Sequence, residues 1–147
     1  MAYKFPRKSK YTYRVGKSFA GLGLFVIEEI PKKDEFLIEY FGTRISSDEA
    51  DKKGGKYLFE VDKNLVIDGT VRKNIARYIN HSCKPNCYAE VDGTRVFIFS
   101  KRKIKAGEEL CYHYGKEYWE DIIQPHGCRC AFCADKKRST RLRKLGK

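Results

Sequence analysis

Two cysteine-rich segments constrain the fold of this 147-residue chain more than any other feature. The first is INHSCKPNC at 79–87, and the second is HGCRCAFC at 126–133. The second segment carries three closely spaced thiols, those of Cys128, Cys130 and Cys133. Three thiols cannot all pair with one another, whereas a zinc ion takes four ligands in a tetrahedron. The sequence therefore predicts a zinc site whose fourth ligand comes from another part of the chain.

Two cysteines of the first segment, Cys83 and Cys87, are the available candidates for the fourth ligand. Cys111 is a more distant candidate because it lies within a strand pattern. A second interpretation, reduced cysteines without metal, stays open. A shared zinc ion would join the end of the chain to its middle and would couple metal binding to folding.

The N-terminal sequence indicates the redox setting of these cysteines. The segment MAYKFPRKSK lacks the apolar stretch of a secretory signal, and no run of about 18 apolar residues is present to span a membrane. We therefore expect an intracellular protein without a membrane span, cytoplasmic or, in a eukaryotic host, nuclear. In such a reducing setting, cysteines serve metal binding or catalysis more often than disulfides.

The apolar pattern predicts a chain made mainly of short strands. Strands are predicted at 21–30, 35–41, 56–61, 64–69, 94–104 and 110–114. The first of them begins in a glycine turn at 21–24 and ends at Pro31. The third and fourth form a hairpin across Asp62–Asn64.

Few helices are predicted. The best candidate is 70–79, whose apolar residues on one face are Val71, Ile75, Tyr78 and Ile79. Segment 46–55 suits a short helix or an exposed loop, and 116–123 suits a small helical piece. Many short strands with one or two small helices are typical of a mostly β, α+β domain.

The formal net charge of +12 is concentrated at the two ends of the chain. Basic residues cluster near the N-terminus and again in KKRSTRLRKLGK at 136–147. They suit either two solvated tails or attraction to an anionic partner, such as nucleic acid or a nucleosome. Neither tail interleaves aromatic residues in the way that a base-stacking surface requires. Charge alone therefore does not identify the partner.

Four motifs occur in the order found in one enzyme family. They are GLGLF (21–25), EYFGTRI (39–45), IDGTVRKNIARYINHSC (67–83) and GEELCYHYG (107–115). With them, the chain resembles the SET-domain protein lysine methyltransferases from about Lys17 to Cys133. The runs Asn-His-Ser-Cys-x-Pro-Asn and Gly-Glu-Glu-Leu-x-Tyr-x-Tyr are very specific to that family.

The resemblance implies a fold, a division of the chain and a reaction. The fold is one of small curled β-sheets with a C-terminal pseudoknot and a post-SET zinc loop. The divisions are a basic N-terminal flank (1–16), a SET domain (17–115), a post-SET zinc-binding segment (116–135) and a basic C-terminal tail (136–147). The implied reaction transfers a methyl group from S-adenosyl-L-methionine to a lysine of a histone or another basic protein.

The resemblance also implies roles for four tyrosines. Tyr114 would orient the amine and the methyl group as the catalytic tyrosine, and Tyr40 would help to line the site. Tyr112 stands where the family sets the number of methyl groups added, and a tyrosine there favours monomethylation. Tyr57 would wall the lysine channel, although a role in the core is an equal alternative.

The remaining site residues are implied to bind the cofactor and the metal. The backbone of Gly21, Leu22, Gly23 and Leu24 would approach the methionine part of the cofactor, since glycine allows close contact. Asn80 would bind the amino group or the carboxylate region, and the backbone of His81 the adenine. The zinc ligands would be Cys83, Cys128, Cys130 and Cys133. Cys87 is then expected to be packed in the interior.

Three residues depart from the family pattern, and two other functions are considered. Gly69, Lys73 and His113 stand where alanine, glycine and aspartate are common. One alternative is a catalytically inactive SET-like zinc module that binds chromatin or nucleic acid. The other, a Cys83–His81 nucleophile, is disfavoured because their spacing does not guarantee a thiol–imidazole hydrogen bond.

Overall fold

The computed structural model describes residues 6–19 and 21–115, which form mostly short strands. Along the chain the elements are β1 (Tyr13–Ser18), β2 (Gly21–Val26), β3 (Phe36–Tyr40), β4 (Thr43–Ser46), α1 (Ser47–Lys53), β5 (Leu58–Asp62), β6 (Leu65–Asp68), a 3₁₀ helix (Ile75–Tyr78), β7 (Asn80–His81), β8 (Cys87–Asp92), β9 (Arg95–Ser100) and β10 (Glu109–Tyr112). The predicted helical piece at 116–123 and the cysteine segment at 126–133 lie outside the described residues. In the described ranges, no helix is long and apolar enough to cross a membrane.

The strands form small sheets, which confirms the predicted mostly β, α+β fold class. Their orders are β1-β2-β10-β7, β3-β9-β8 and β4-β6-β5. In the first sheet, Leu110 pairs antiparallel with Leu24, and Cys111 pairs parallel with Asn80. Strand β10 thus lies between a strand from the start of the domain and one from its middle. The specific motifs at 79–87 and 107–115 are side by side, as the predicted pseudoknot requires.

The core lies under the strands because each strand turns alternate side chains inward. In β2, Leu24 and Val26 are fully buried, while Phe25 between them is half-buried. Among the described residues, the other large aliphatic side chains that are fully buried are Ile30, Leu37, Ile67, Ile79, Val96, Ile98, Ile104 and Leu110. They include residues of all three sheets and form one cluster, so one core supports the described region.

Two local predictions are confirmed. The hairpin turns across Lys63 and Asn64 between β5 and β6, within the predicted Asp62–Asn64 connection. The segment 46–55 contains the short helix α1, and the side chain of Ser46 caps it by accepting a hydrogen bond from the Glu49 amide at 3.1 Å. Both signals are local, since a turn and a helix cap depend on a few adjacent residues.

The predicted helix at 70–79 is wrong, and only a four-residue 3₁₀ helix forms there. The cause is Asn74, which is fully buried and has a non-helical backbone. Its Oδ1 accepts from the Phe41 amide at 3.2 Å, and its Nδ2 donates to the Gly69 carbonyl at 3.0 Å. These bonds, one of them to a residue 33 positions away, take precedence over helix propensity. Val71, which the helix would have buried, is 45% exposed.

The predicted limits of two strands also need correction. Strand β2 starts at Gly21 rather than after a glycine turn, and it ends at Val26 rather than at Pro31. Strand β9 ends at Ser100. Beyond these ends, Ile30 and Ile104 meet in an isolated bridge and exchange backbone hydrogen bonds at 2.8 and 2.9 Å. The two apolar runs therefore stay close after their regular pairing has ended.

Asn86 fastens the segment 79–87 to β10. Its Nδ2 donates to the Glu109 carbonyl at 2.8 Å, and its Oδ1 accepts from the Cys111 amide at 2.9 Å. The Cys87 thiol donates to the same Oδ1 at 3.2 Å. Because Asn86 is buried, these bonds hold the two motifs in one register at a position from which water is excluded.

Candidate functional site

Four aromatic rings from distant parts of the chain form a continuous cluster. Tyr40 lies 5.3 Å from Phe59, Phe59 lies 6.2 Å from Tyr112, and Tyr112 lies 5.0 Å from Tyr114, measured between ring centroids. Strands β3, β5 and β10 supply the first three rings, and Tyr114 follows β10. The structure thus brings together the three predicted catalytic tyrosines, which can act as rigid apolar walls with hydroxyl tips.

Phe59 belongs to this cluster, although sequence reasoning did not assign it to the site. Its sequence signal is alternation, because Tyr57, Phe59 and Val61 share one side of a predicted strand. That pattern predicts a side chain that faces the interior but not which neighbours it meets. The contacts with Tyr40 and Tyr112 depend on pairing between strands of separate sheets.

The Tyr114 hydroxyl is held by the backbone just before Asn80. It donates a hydrogen bond to the Ile79 carbonyl at 2.5 Å, and the Tyr114 amide donates to His81 Nδ1 at 3.1 Å. Besides the hydrogen that it donates to Ile79, a phenol oxygen has lone pairs that can accept a hydrogen bond. An amine N–H is such a donor.

Tyr40 is anchored through the backbone of Tyr57. Its hydroxyl donates to the Tyr57 carbonyl at 2.7 Å, and that carbonyl also accepts from the Gly69 amide at 2.7 Å. Burial raises the pKa of Tyr40, and nearby Tyr114 raises it further, so the phenol stays protonated at neutral pH. Tyr57 has φ 66°, a strained value for a non-glycine residue, which its two bonds help to maintain.

The Tyr57 side chain takes a different direction from its carbonyl. Its ring packs edge-on against Tyr78 at 6.2 Å, and the Arg77 guanidinium lies over it at 5.2 Å. The Tyr57 carbonyl thus contacts the aromatic cluster through the Tyr40 hydroxyl, whereas the Tyr57 ring packs against Tyr78 and Arg77. Its role in the lysine channel stays a prediction.

Gly69 explains one departure from the family pattern. A Cβ at this position would lie 2.5 Å from the Tyr40 hydroxyl and 2.6 Å from Asn74 Nδ2. Both atoms are fixed by hydrogen bonds, so a side chain would displace them. Glycine at this position therefore permits the observed placement of Tyr40.

His81 connects the Tyr114 backbone to Cys83. Because His81 Nδ1 accepts from an amide, the proton of the neutral ring is on Nε2, which lies 3.4 Å from the Cys83 sulfur. Burial lowers the pKa of His81 to about 4, and nearby His113 contributes, so the ring is neutral at pH 7. An imidazole that donates toward sulfur cannot remove a thiol proton. The structure places the two side chains in contact, but this geometry disfavours the Cys–His nucleophile.

Of the four predicted zinc ligands, only Cys83 lies within the described residues. Cys83 is half-buried, and His81 Nε2 lies 3.4 Å from its sulfur. The other three predicted ligands lie beyond Gly115 and outside the described residues. Within 6–19 and 21–115, no group of three or more His, Cys, Asp or Glu side chains is arranged to hold a metal ion.

Cys87 and Cys111 have environments unlike that of a metal ligand. Cys87 is buried, as predicted, and both thiols approach Asn86 Oδ1, at 3.2 Å from Cys87 and 3.7 Å from Cys111. Burial raises the pKa of both thiols, which favours the neutral form. They are packed side chains of the junction between the two motifs.

The predicted cofactor residues are adjacent across the first sheet. Asn80 Nδ2 donates to the Leu22 carbonyl at 2.9 Å, so the residues at 21–24 and the residue at 80 are in contact. The expected turn at 21–24 is a strand, in which only Gly21 has a positive φ, of 100°. Leu24 points into the core and can serve a cofactor only through its backbone.

Glu109 lies among these residues, although sequence reasoning did not assign it. Its Oε2 accepts from Asn80 Nδ2 at 2.9 Å, and its Oε1 accepts from the Ser18 hydroxyl at 2.8 Å. A Cβ on Gly23 would lie 2.4 Å from Oε2. In the sequence, Glu109 is the second glutamate of GEEL, but no neighbouring residue indicates that it contacts Ser18 and Asn80.

Comparison with known proteins gives a consistent result. A family model described as SET domain matches residues 21–115. Histone-lysine N-methyltransferase trithorax of Drosophila virilis is 41% identical over 150 residues, covering 90% of this chain and 4% of that protein. Histone-lysine N-methyltransferase set-2 of Caenorhabditis elegans is 42% identical over 123 residues, covering 75% and 8%. Histone-lysine N-methyltransferase set1 of Dictyostelium discoideum is 40% identical over 124 residues, covering 76% and 8%. The chain thus spans less than a tenth of these relatives.

Proposed function

Because the chain belongs to the SET-domain family, we propose that it is a protein-lysine N-methyltransferase that uses S-adenosyl-L-methionine and acts on histone lysine. The observation that carries this proposal is the cluster of Tyr40, Phe59, Tyr112 and Tyr114 beside the segment 79–81. The names of relatives at 40 to 42% identity support the histone substrate. Another basic protein remains the alternative substrate.

The cluster suits the main energetic problem of lysine methylation. A lysine amine must be neutral to act as a nucleophile, yet its ordinary pKa is about 10.4, so deprotonation at pH 7 costs roughly 4–5 kcal/mol. An apolar channel that excludes water disfavours the ammonium and lowers this cost. The aromatic rings supply such walls. The Tyr114 oxygen can then accept an amine N–H and orient the nitrogen lone pair.

The cofactor residues present a complementary set of groups. When bound, S-adenosyl-L-methionine supplies an electrophilic methyl group on a positively charged sulfonium. On this chain the glycine-containing backbone of β2 permits close approach, and Asn80 and Glu109 offer hydrogen-bond acceptors. The residues therefore fit the amino-acid end of this cofactor. Contact between the His81 backbone and the adenine stays part of the proposal.

The test is methyl transfer by the purified chain. Isotope-labelled S-adenosyl-L-methionine, a histone mixture and a panel of other basic proteins are incubated with it, and labelled lysines are located by mass spectrometry. We expect labelled histone lysine. Cofactor binding without transfer to any of these proteins would instead support the inactive SET-like zinc module.

Tyr112→Phe should increase the number of methyl groups added to each lysine. Tyr112 is buried and packs against both Phe59 and Tyr114, so removing its hydroxyl makes room without removing the wall. We expect a mainly monomethylated product from the parent and di- or trimethylated product from the variant, measured by mass spectrometry of a peptide. An unchanged product distribution would contradict the assignment of Tyr112 as the residue that limits methylation.

Cys130→Ser should release zinc. We propose that Cys83 completes a site with Cys128, Cys130 and Cys133, in which four thiolates hold one ion at about 2.3 Å. Elemental analysis should find about one zinc per parent chain and a large loss in the variant. Cys87→Ala is the matched control and should retain the metal, because Cys87 is packed against Asn86. A parent chain without zinc would refute the site.

A histone substrate favours the nucleus over the cytoplasm as the place of action. The division into a flank (1–16), a SET domain (17–115), a post-SET segment (116–135) and a tail (136–147) is part of the same proposal. We include weak nucleosome contact through the two basic ends. In the flank, Arg7, Lys8 and Lys10 line a groove of about 340 Å³ together with the carboxylates of Asp34 and Glu35. The net charge of the chain is what supports the proposed nucleosome contact.

A further inference from the structure

Glu109 is a carboxylate held in place by neutral donors. The Ser18 hydroxyl lies 2.8 Å from Oε1 and 2.9 Å from Oε2, and Asn80 Nδ2 lies 2.9 Å from Oε2. Within the described ranges Glu109 forms no ion pair, whereas the adjacent Glu108 pairs with Arg102 at 2.9 Å. Its negative charge is therefore oriented by the protein but not neutralised by a described side chain.

The same bonds determine which atom Asn80 offers to a ligand. One N–H of its amide is directed at the Leu22 carbonyl, and the other at Glu109. Because both N–H groups are used by the protein, the Asn80 Oδ1 is the atom of this amide that can accept a hydrogen bond from a ligand. The carboxylate and this amide oxygen therefore form a pair of acceptors that suits a cationic donor group.

The Glu109 carboxylate lies against two residues that are predicted to bind the cofactor, Gly23 and Asn80. Glu109 Oε2 occupies the space that a side chain on Gly23 would need, at 2.4 Å from the ideal Cβ position. It is thus packed directly against the bare backbone of β2. Among the groups of S-adenosyl-L-methionine, the α-ammonium carries three N–H donors and no acceptor, whereas the α-carboxylate would be repelled.

We propose that Glu109 recognises the α-ammonium group of the cofactor, with its own carboxylate and by orienting Asn80. This inference rests on the proposed function, since it concerns the same cofactor. It resolves the earlier choice for Asn80 in favour of the amino group. It also adds to the site a residue 91 positions distant from its partner Ser18.

The test compares two ligands on two proteins by titration calorimetry. The ligands are S-adenosyl-L-homocysteine and its analogue that lacks the α-amino group, and the proteins are the parent and Glu109→Gln. The parent should bind the analogue about 10- to 100-fold more weakly, because a charge-assisted hydrogen bond contributes about 1.5–3 kcal/mol. Glu109→Gln should weaken S-adenosyl-L-homocysteine binding by a similar factor and leave binding of the analogue unchanged.

The controls separate this inference from general damage to the protein. Glu90→Gln, the same substitution at an exposed position of β8, should bind both ligands like the parent. Equal weakening of both ligands by Glu109→Gln would overturn the inference, because it would indicate a structural role. If that variant does not fold, the parent alone decides: a preference below about threefold between the ligands overturns the inference.

Failure of the proposed function has a different signature. A folded, zinc-loaded parent that binds neither S-adenosyl-L-methionine nor S-adenosyl-L-homocysteine overturns the proposed function and this inference with it. A parent that binds S-adenosyl-L-methionine and S-adenosyl-L-homocysteine, but binds the analogue without the α-amino group equally well, overturns the inference alone.

Discussion

Tyr114→Phe is expected to lower methyl transfer by about 10²–10³-fold or more while leaving cofactor binding within a few-fold of the parent. The substitution removes the oxygen that we propose accepts the lysine N–H, and it keeps the ring that packs 5.0 Å from Tyr112 and 5.5 Å from His81. The reacting amine would still enter an apolar channel but without a group to orient it. Single-turnover kinetics with a histone peptide measures the loss, and titration calorimetry measures cofactor affinity.

The stability of this variant has to be measured beside its activity. The Tyr114 hydroxyl donates to the Ile79 carbonyl, so its removal leaves that acceptor unpaired at a cost of about 1 kcal/mol. Tyr88→Phe is the matched control, since the Tyr88 hydroxyl bonds to Asp34 at an exposed position distant from the cluster. It should retain full activity. A Tyr114→Phe enzyme with activity within tenfold of the parent would remove Tyr114 from its catalytic role.

Arg95→Ala should lower the free energy of unfolding by about 3–5 kcal/mol, the largest stability change that we expect. The Glu39 side chain is 0% exposed, and the Arg95 guanidinium binds both of its oxygens, at 2.7 and 3.0 Å. The Arg7 amide donates to the same carboxylate at 2.7 Å. Without the guanidinium, the buried Glu39 carboxylate would lose two charge-assisted hydrogen bonds and the positive charge of Arg95, and the folded state would bear that desolvation cost.

Urea unfolding followed by circular dichroism measures this change, and the more exposed ion pair between Arg102 and Glu108 provides the control. Arg102→Ala breaks the bond to Glu108 between side chains that are 53% and 28% exposed, so it should cost only about 0–1 kcal/mol. Adding Glu39→Gln to Arg95→Ala removes the buried negative charge and should restore part of the loss. Equal effects of the two arginine substitutions would refute the assigned importance of burial.

The strand pattern and the motifs were readable because they depend on neighbouring residues. Alternation predicted β3 and the β5–β6 hairpin, and Ser46 marked the start of α1, since side-chain direction and capping are settled within a few positions. The same locality explains the error at 70–79. There the helical apolar spacing was real, but the bonds of Asn74 to Phe41 and Gly69 are long-range or specific to the fold.

The chain by itself determined which chemistry is available: the tyrosines of the site, the Asn80–His81 pair and the thiol of Cys83. Tertiary structure alone decided which groups meet. Parallel pairing of Cys111 with Asn80 brings Glu109 to Ser18 and Asn80, and packing between separate sheets inserts Phe59 between Tyr40 and Tyr112. The physical reason is distance along the chain, because contacts between remote segments depend on the register and packing of whole sheets, which no short sequence window contains.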